Sequence, residues 1–293
     1  VIVNYGAGGA TDLSTRTLAR AMEKQLNVPV NVVNRAGGAG TVGPTVLANS
    51  PNDGYTIGVT SFSPMAIQPA MRDVPYTLDD FRFVTVYEIN PVACAVQASS
   101  DINSMDDLIA KVAEGGVTYS SSGVGSLLHL AGAMVLKEFG IDNPLEAATH
   151  IPLKGGGAAA TAVLNGTATF ICTNSSALAS FVANGQLKPL MVTTAEPVVG
   201  FDAPTAADLG KPALHKLVGW TGIAGPDDLP DDVAAHWGDW MATATQDAGF
   251  REKMEARGSV IELMDPVEAN AFITGQYEVF RALVDELGMR IEG

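Results

Sequence analysis

The chain has 293 residues, of which 47% are hydrophobic and 17% charged, a globular balance with enough apolar surface for one large or two medium domains. Its net charge is −15. That sign excludes a basic nucleic-acid face and disfavours an anionic membrane, so any anion it binds must be held by a local field against an unfavourable global one.

The opening "VIVNY" reads as a buried strand ending at Gly6. "TDLSTRTLARAMEKQL" follows as a helix with Leu13, Leu18, Met22 and Leu26 on one face and Asp12 near its start, where a carboxylate caps free N–H groups. "VPVNVVN" is a second strand, with Pro29 at its beginning. "RAGGAGTVGPTVLANS" is a second glycine loop feeding a helix, and "DGYTIGVTS" is a third strand. This β-α-β-α-β order predicts a parallel sheet with helices on its faces.

"PVACAVQASS" is the next apolar strand, and Ser104 caps a short helix after it. A second β/α series comes next. "VTYSSSGVGSLLHLAG" and "ATHIPLKGGGAAATAVLNG" are strand, glycine loop and helix, "ATFICTNSSALASFVANG" is strand, polar loop and helix, and "LKPLMVTT" is a strand. After "LVGWTGIAGP", read as a strand returning to the first series, the pattern becomes helical over Asp232–Asp247, Phe250–Arg257 and Pro266–Leu287.

Cys94 and Cys172 lie in apolar strand runs and read first as two buried thiols; a disulfide requires their Cα atoms to lie within about 7 Å. There is no CxxC pair and the four histidines are scattered, so no metal site is indicated. No apolar run is long enough to span a bilayer. The chain starts inside a strand and without Met, so an upstream signal segment is expected to have been removed.

Four glycine junctions stand out: Gly6–Gly9, Gly37–Gly40, Gly123–Gly125 and Gly155–Gly157, each ahead of a helix. In an open parallel sheet such junctions gather at the carboxyl ends of the strands, where helix N-termini and bare backbone receive anions. Gly6 and Gly8 also begin a GxGxxG pattern, but Thr11 stands at its third position and Asn34 where a ribose-binding acid belongs, with Arg35 beside it as a 2′-phosphate candidate. An NADP-dependent oxidoreductase therefore remains an alternative. A P-loop is absent, and "GVGSLL" lacks the spacing of a nucleophile elbow. No catalytic set appears, which favours a binder over an enzyme.

Small polar side chains flank the loops: Ser61, Ser63, Ser122, Ser126, Thr173 and Asn174, with Tyr5 and Phe62 as candidate apolar walls. Lys154 is the cation beside a second-series loop, and His129 lies inside the helix begun by Ser126, either packed or as a donor to the ligand.

"GGATD", "VVNRAGGAGTVG", "PNDGYTI", "YSSSGVGSLLHLAG", "IPLKGGGAAATAVLNG", "PTAADLG" and "GWTGIAGP", in this order and over essentially the whole chain, resemble the solute-binding proteins of tripartite tricarboxylate transporters, the TctC or Bug family. The resemblance implies an α/β, two-lobed periplasmic binding protein of type II, a Venus flytrap with its cleft between the lobes. One lobe would be residues 1–96 plus 222–293, the other 97–221, hinged on strands near Cys94–Gln97 and Val218–Ile223. It implies export to the periplasm, no cofactor, and hand-over of a small carboxylate to membrane permease subunits. The chain is read as a monomer.

Carried over, the first carboxylate pincer falls on Gly8, Gly9, Ala10 and Thr11, with Asp12 in the same loop, and on Ala39 and Gly40. Ser61 and Ser63 form the next loop. Ser122, Gly123, Ser126, His129, Lys154, Gly155, Gly156 and Gly157 are the second-lobe contribution. The family often has Asp where Thr173 stands here. An Asp suits a ligand ammonium, so Thr173 points toward a di- or tricarboxylate or an aromatic carboxylate rather than an amino acid. A ligand-sensing subunit of a signalling receptor would use the same site.

Overall fold

The computed structural model describes residues 1–8, 10–124, 126–153 and 156–291. In chain order the elements are β1 (Ile2–Val3), α1 (Ala10–Leu26), β2 (Val33–Asn34), α2 (Val42–Ala48), β3 (Gly58–Ser61), α3 (Gln68–Met71) and the long β4 (Phe81–Gln97). They continue with α4 (Met105–Glu114), β5 (Val117–Ser121), α5 (Leu127–Glu138), α6 (Pro144–Ala147), β6 (Ala148–Pro152), α7 (Gly156–Leu164), β7 (Phe170–Asn174), α8 (Ser175–Ala183) and β8 (Leu187–Val192). The chain then closes with β9 (Val218–Pro226), α9 (Asp231–Ala244), α10 (Ala248–Glu255) and α11 (Pro266–Glu286).

These elements form two compact units. The first comprises Val1–Ile89, Trp220–Ala256 and the residues from Val260 onward; the second comprises Asn90–Gly219 and Arg257–Ser259. β4 passes from one unit to the other at Ile89–Asn90 and β9 at Gly219–Trp220.

In the first unit β1 pairs in parallel with β2 and β3, and β3 pairs antiparallel with β9, matching Val59 to Ile223. α1 buries Leu18, Ala21 and Met22 in a core completed by Ile57, Tyr87, Trp237, Met241 and Phe250. Each fully buried side chain of this size contributes about 1.5–3 kcal/mol of transfer free energy. Ser14 of α1 donates to Glu88 of β4 at 2.7 Å, a buried tie that fixes the helix against the strand. Pro266 begins α11 behind Asp265, whose carboxylate accepts from Val267 and Glu268 as a capping box.

In the second unit β5 pairs in parallel with β6 and β7, and β4 pairs antiparallel with β7 and β8. α5 is buried along nearly its whole length. Its Gly132 lies where any Cβ would approach the Tyr119 ring to 2.6 Å, so helix and strand pack as close as a glycine allows.

Three sequence expectations change. Cys94 and Cys172 are directly opposite in the β4–β7 ladder, their Cα atoms 4.1 Å apart, and they form a disulfide rather than two thiols. The second strand, expected over residues 28–34, is only Val33–Asn34, because it lies at the sheet edge and its neighbour β1 ends after Val3. β4 begins ten residues before Pro91, at Phe81. Pro91 is tolerated because it falls between the ladder contact at Ile89 and the first β7 pair at Val92, where no strand N–H is required.

Candidate functional site

In the first unit, parallel pairing of β1, β2 and β3 puts the segments that follow them at one edge of the sheet. The Tyr5–Gly8 loop, the Gly38–Gly40 turn and Ser61–Ser63 therefore gather there, at the carboxyl ends of the strands. The second turn is wound left-handed: Gly38, Ala39 and Gly40 have φ of 57°, 56° and 99°. Ala39 is a non-glycine residue in a region that costs it free energy, a strain that points to function. Gly40 turns its N–H inward to the Gly37 carbonyl at 2.9 Å.

These loops interlock through Tyr5. Its hydroxyl lies beside the side chains of Ser61 and Ser63; burial raises its pKa, and the two serines oppose that shift. A Cβ at Gly40 would lie 3.0 Å from the Tyr5 hydroxyl, so a side chain there would have to push the ring aside. Asn4, fully buried, donates to Ser61 at 3.0 Å, and Ser63 donates to the Ala39 carbonyl at 3.4 Å. Ala10 and Thr11 open α1, where the first N–H groups of a helix have no intrahelical acceptor. Gly8, by contrast, donates its N–H at 2.8 Å to Asp12, a carboxylate only 1% exposed. Phe62 is not a wall: it is buried, packed edge-on against Phe280 with centroids 4.6 Å apart.

In the second unit, β5, β6 and β7 run parallel, so the segments after them also share one edge. Ser122, Gly123 and Ser126 lie after β5, Gly156 and Gly157 open α7 after β6, and Thr173 and Asn174 end β7. Ser126 caps α5 by accepting from the His129 N–H at 3.3 Å. Gly123 donates to Ser121 Oγ at 3.1 Å, and Ser121 Oγ lies 2.6 Å from His150 Nε2. His150 and His129 stack on Tyr119. Burial, then the neighbouring His150, lowers the His129 pKa to about 4, and burial lowers that of His150. Both imidazoles are thus neutral near pH 7 and offer polar N–H or lone-pair contacts, not charge. Thr173 is buried and faces Ala93 across the ladder, while Asn174 Oδ1 is buried without a hydrogen-bond partner.

Gly9, Lys154 and Gly155 lie outside the described residues. Sequence reasoning passed over His150 and Arg16, and weighed Asn34 only at the ribose position of a dinucleotide site. The signals were present: "ATHIP" pairs with the strand before the serine loop, and Asp12 and Arg16 have the i,i+4 spacing of a helical ion pair. Among the described residues no group of three or more His, Cys, Asp or Glu is placed to hold a metal, and no helix is long and apolar enough to cross a membrane.

In each unit, glycine-rich turns and helix starts collect at the carboxyl ends of parallel strands, the arrangement of a protein that binds a small anion. The chain belongs to the TctC family, described as the tripartite tricarboxylate transporter family receptor, whose pattern matches residues 14–289. It is 28% identical over 298 residues to the protein BugT of Bordetella pertussis, covering 100% of this chain and 90% of that one. The crystal structure of a TctC solute-binding protein from Polaromonas superposes with a TM-score of 0.82 at 25% identity, over 98% of this chain and 97% of the other. Two structures from Rhodopseudomonas palustris, MatC with bound malate and Rpa4515 with adipate, share the fold at 22% identity. Their TM-scores are 0.81 and 0.84, over 97% and 98% of this chain and 97% and 96% of theirs. The family is one of transporter receptors and the Polaromonas neighbour is a solute-binding protein, which removes the oxidoreductase alternative.

Proposed function

We propose that this protein is a periplasmic receptor that captures a small organic carboxylate, a di- or tricarboxylate or an aromatic carboxylate, for delivery to the permease of a tripartite tricarboxylate transporter. The observation that carries the reading is the convergence, in each unit, of helix starts and small polar side chains at one sheet edge. Such an edge receives carboxylate oxygens through N–H and O–H groups. Structural neighbours with malate and adipate support the class.

On this reading each unit supplies its own set of contacts: Tyr5, Ala10, Thr11, Ala39, Gly40, Ser61 and Ser63 in the first, and Ser122, Gly123, Ser126, His129, Gly156, Gly157, Thr173 and Asn174 in the second. Neither set includes an acidic side chain left to pair with an ammonium, because Asp12 is already saturated. An unpaired buried ammonium costs several kcal/mol, so an amino acid is disfavoured. With Phe62 in the core, an aromatic ligand would stack on Tyr5.

A thermal-shift screen with succinate, malate, adipate, citrate, terephthalate, nicotinate, aspartate and glutamate tests the reading, since a ligand of the native state raises the melting temperature by mass action. The largest shifts are expected from the carboxylates without an amino group. A dominant response to aspartate or glutamate would overturn the ligand class, and no response to any of them would argue against carboxylate capture.

A further inference from the structure

Asp12 is a carboxylate almost wholly withdrawn from solvent beside a helix start, and both its oxygens are engaged. Gly8 donates to Oδ2 at 2.8 Å, Arg16 Nε lies 3.0 Å from both oxygens, and Asn34 Nδ2 donates to Oδ1 at 2.7 Å. Asn34 is fully engaged in turn. Its Nδ2 also donates to the Tyr5 carbonyl at 2.9 Å, and its Oδ1 accepts from Arg16 Nη2 at 2.9 Å. Three side chains thus close a ring that ties the first two turns of α1, the end of β2, and both ends of the Tyr5–Gly8 loop.

We propose that Asp12 is a positioning residue: with Arg16 and Asn34 it fixes the Tyr5–Gly8 loop in the shape that presents the start of α1 to an anion, and it does not itself touch the ligand. The assignment rests on the anion-receiving role proposed above for this loop.

Two physical arguments carry it. Gly8 sits at φ 81°, a left-handed conformation, and its N–H is spent on Asp12, so the loop is held from inside while the N–H groups of Ala10 and Thr11 stay available. A bare carboxylate here would repel an incoming anion and oppose the helix field. Arg16 removes that objection by pairing with the carboxylate through a charge-assisted bond. Burial pushes the Asp12 pKa up, but the bonds from Arg16, Gly8 and Asn34 together bring it below its ordinary value, so the ring stays ionised and closed.

The test uses 15N-glycine-labelled protein and three variants: Asp12→Asn, Arg16→Gln and Asn34→Asp, the last replacing two donors by acceptors at constant size. In the wild type the Gly8 amide resonance is expected to follow the Asp12 carboxyl on acid titration, with a midpoint below the ordinary carboxylate range. Arg16→Gln should move that midpoint upward, and Asp12→Asn should abolish the titration. Calorimetry with malate and adipate should show about tenfold weaker binding in Asp12→Asn and in Asn34→Asp, the scale of one charge-assisted hydrogen bond. Wild-type Gly8 behaviour or wild-type affinity in Asp12→Asn would overturn the proposal. So would a complex in which the Asp12 carboxylate contacts the ligand. If Asp12→Asn does not fold, the Arg16→Gln midpoint decides. If neither acid binds the wild type, the carboxylate reading is in difficulty while the Gly8 titration still decides the brace.

Discussion

His129 and His150 stack with ring centroids 3.8 Å apart and planes 12° from parallel. One comes from the first turn of α5 and the other from β6, and Tyr119 lies against both. Two imidazoles this close and this buried do not both carry charge. Their lowered pKa values mean that the native state binds protons later than the unfolded chain as pH falls. The stability they contribute is complete above the unfolded value of about 6.5 and is lost as pH drops toward 4. The melting temperature should fall across that window, with a loss of about 2 kcal/mol attributable to His129. Thermal scans of wild type and His129→Gln from pH 4.5 to 7.5 check this: the variant should show the flatter profile.

Gly132 faces the Tyr119 ring with no space for a methyl group. Gly132→Ala should destabilise the second unit by about 1–3 kcal/mol, the usual cost of overpacking, despite the better helix propensity of Ala. Denaturant unfolding followed by circular dichroism measures it. An unchanged or raised midpoint would show that the Tyr119–His129–His150 stack can shift to make room.

A Cβ at Gly40 would lie 3.0 Å from the Tyr5 hydroxyl, and the residue has φ 99°. Gly40→Ala should cost about 1–3 kcal/mol in backbone strain and displace the Tyr5 ring from Ser61 and Ser63. Tyr5→Phe isolates the hydroxyl: stability should change by about 1 kcal/mol or less, while carboxylate affinity falls in proportion to any contact the hydroxyl makes. Calorimetry beside thermal melts separates the two effects.

The Cys94–Cys172 disulfide spans 78 residues of sequence and is fully buried. Removing it by paired Cys→Ala substitution should lower stability by about 2–4 kcal/mol, mainly by freeing the unfolded chain. The loss should appear in the unfolding of the second unit. Reductant alone, without denaturant, should leave the bond intact.

How much of this was readable from the sequence depended on where the periodic signal was strong. The glycine turns, the parallel β/α order and the helices that begin at Asp231 and Pro266 were legible, because a strand run met a turn in the first two and a proline stood at the start of each helix. β2 was overestimated because apolar alternation cannot show that the partner strand stops at Val3. β4 was cut short because Pro91 looks like a strand start until its ladder partners are known. At the site, loop positions were readable and side-chain partnerships were not. Asp12 at a helix start reads as a cap, but that it reaches back to Gly8 and across to Asn34 is a property of the packed sheet. Phe62 had the composition of a ligand wall and instead meets Phe280, some two hundred residues away in the chain and invisible to local pattern.

The second unit is built almost entirely from one uninterrupted stretch, Asn90–Gly219, whereas the first needs Trp220–Ala256 and α11 to finish its sheet and core. During synthesis, then, the later-starting unit can be the first to fold, while the N-terminal segment waits for the C-terminus. A nascent chain halted near residue 219 should hold a protease-resistant middle and a labile beginning.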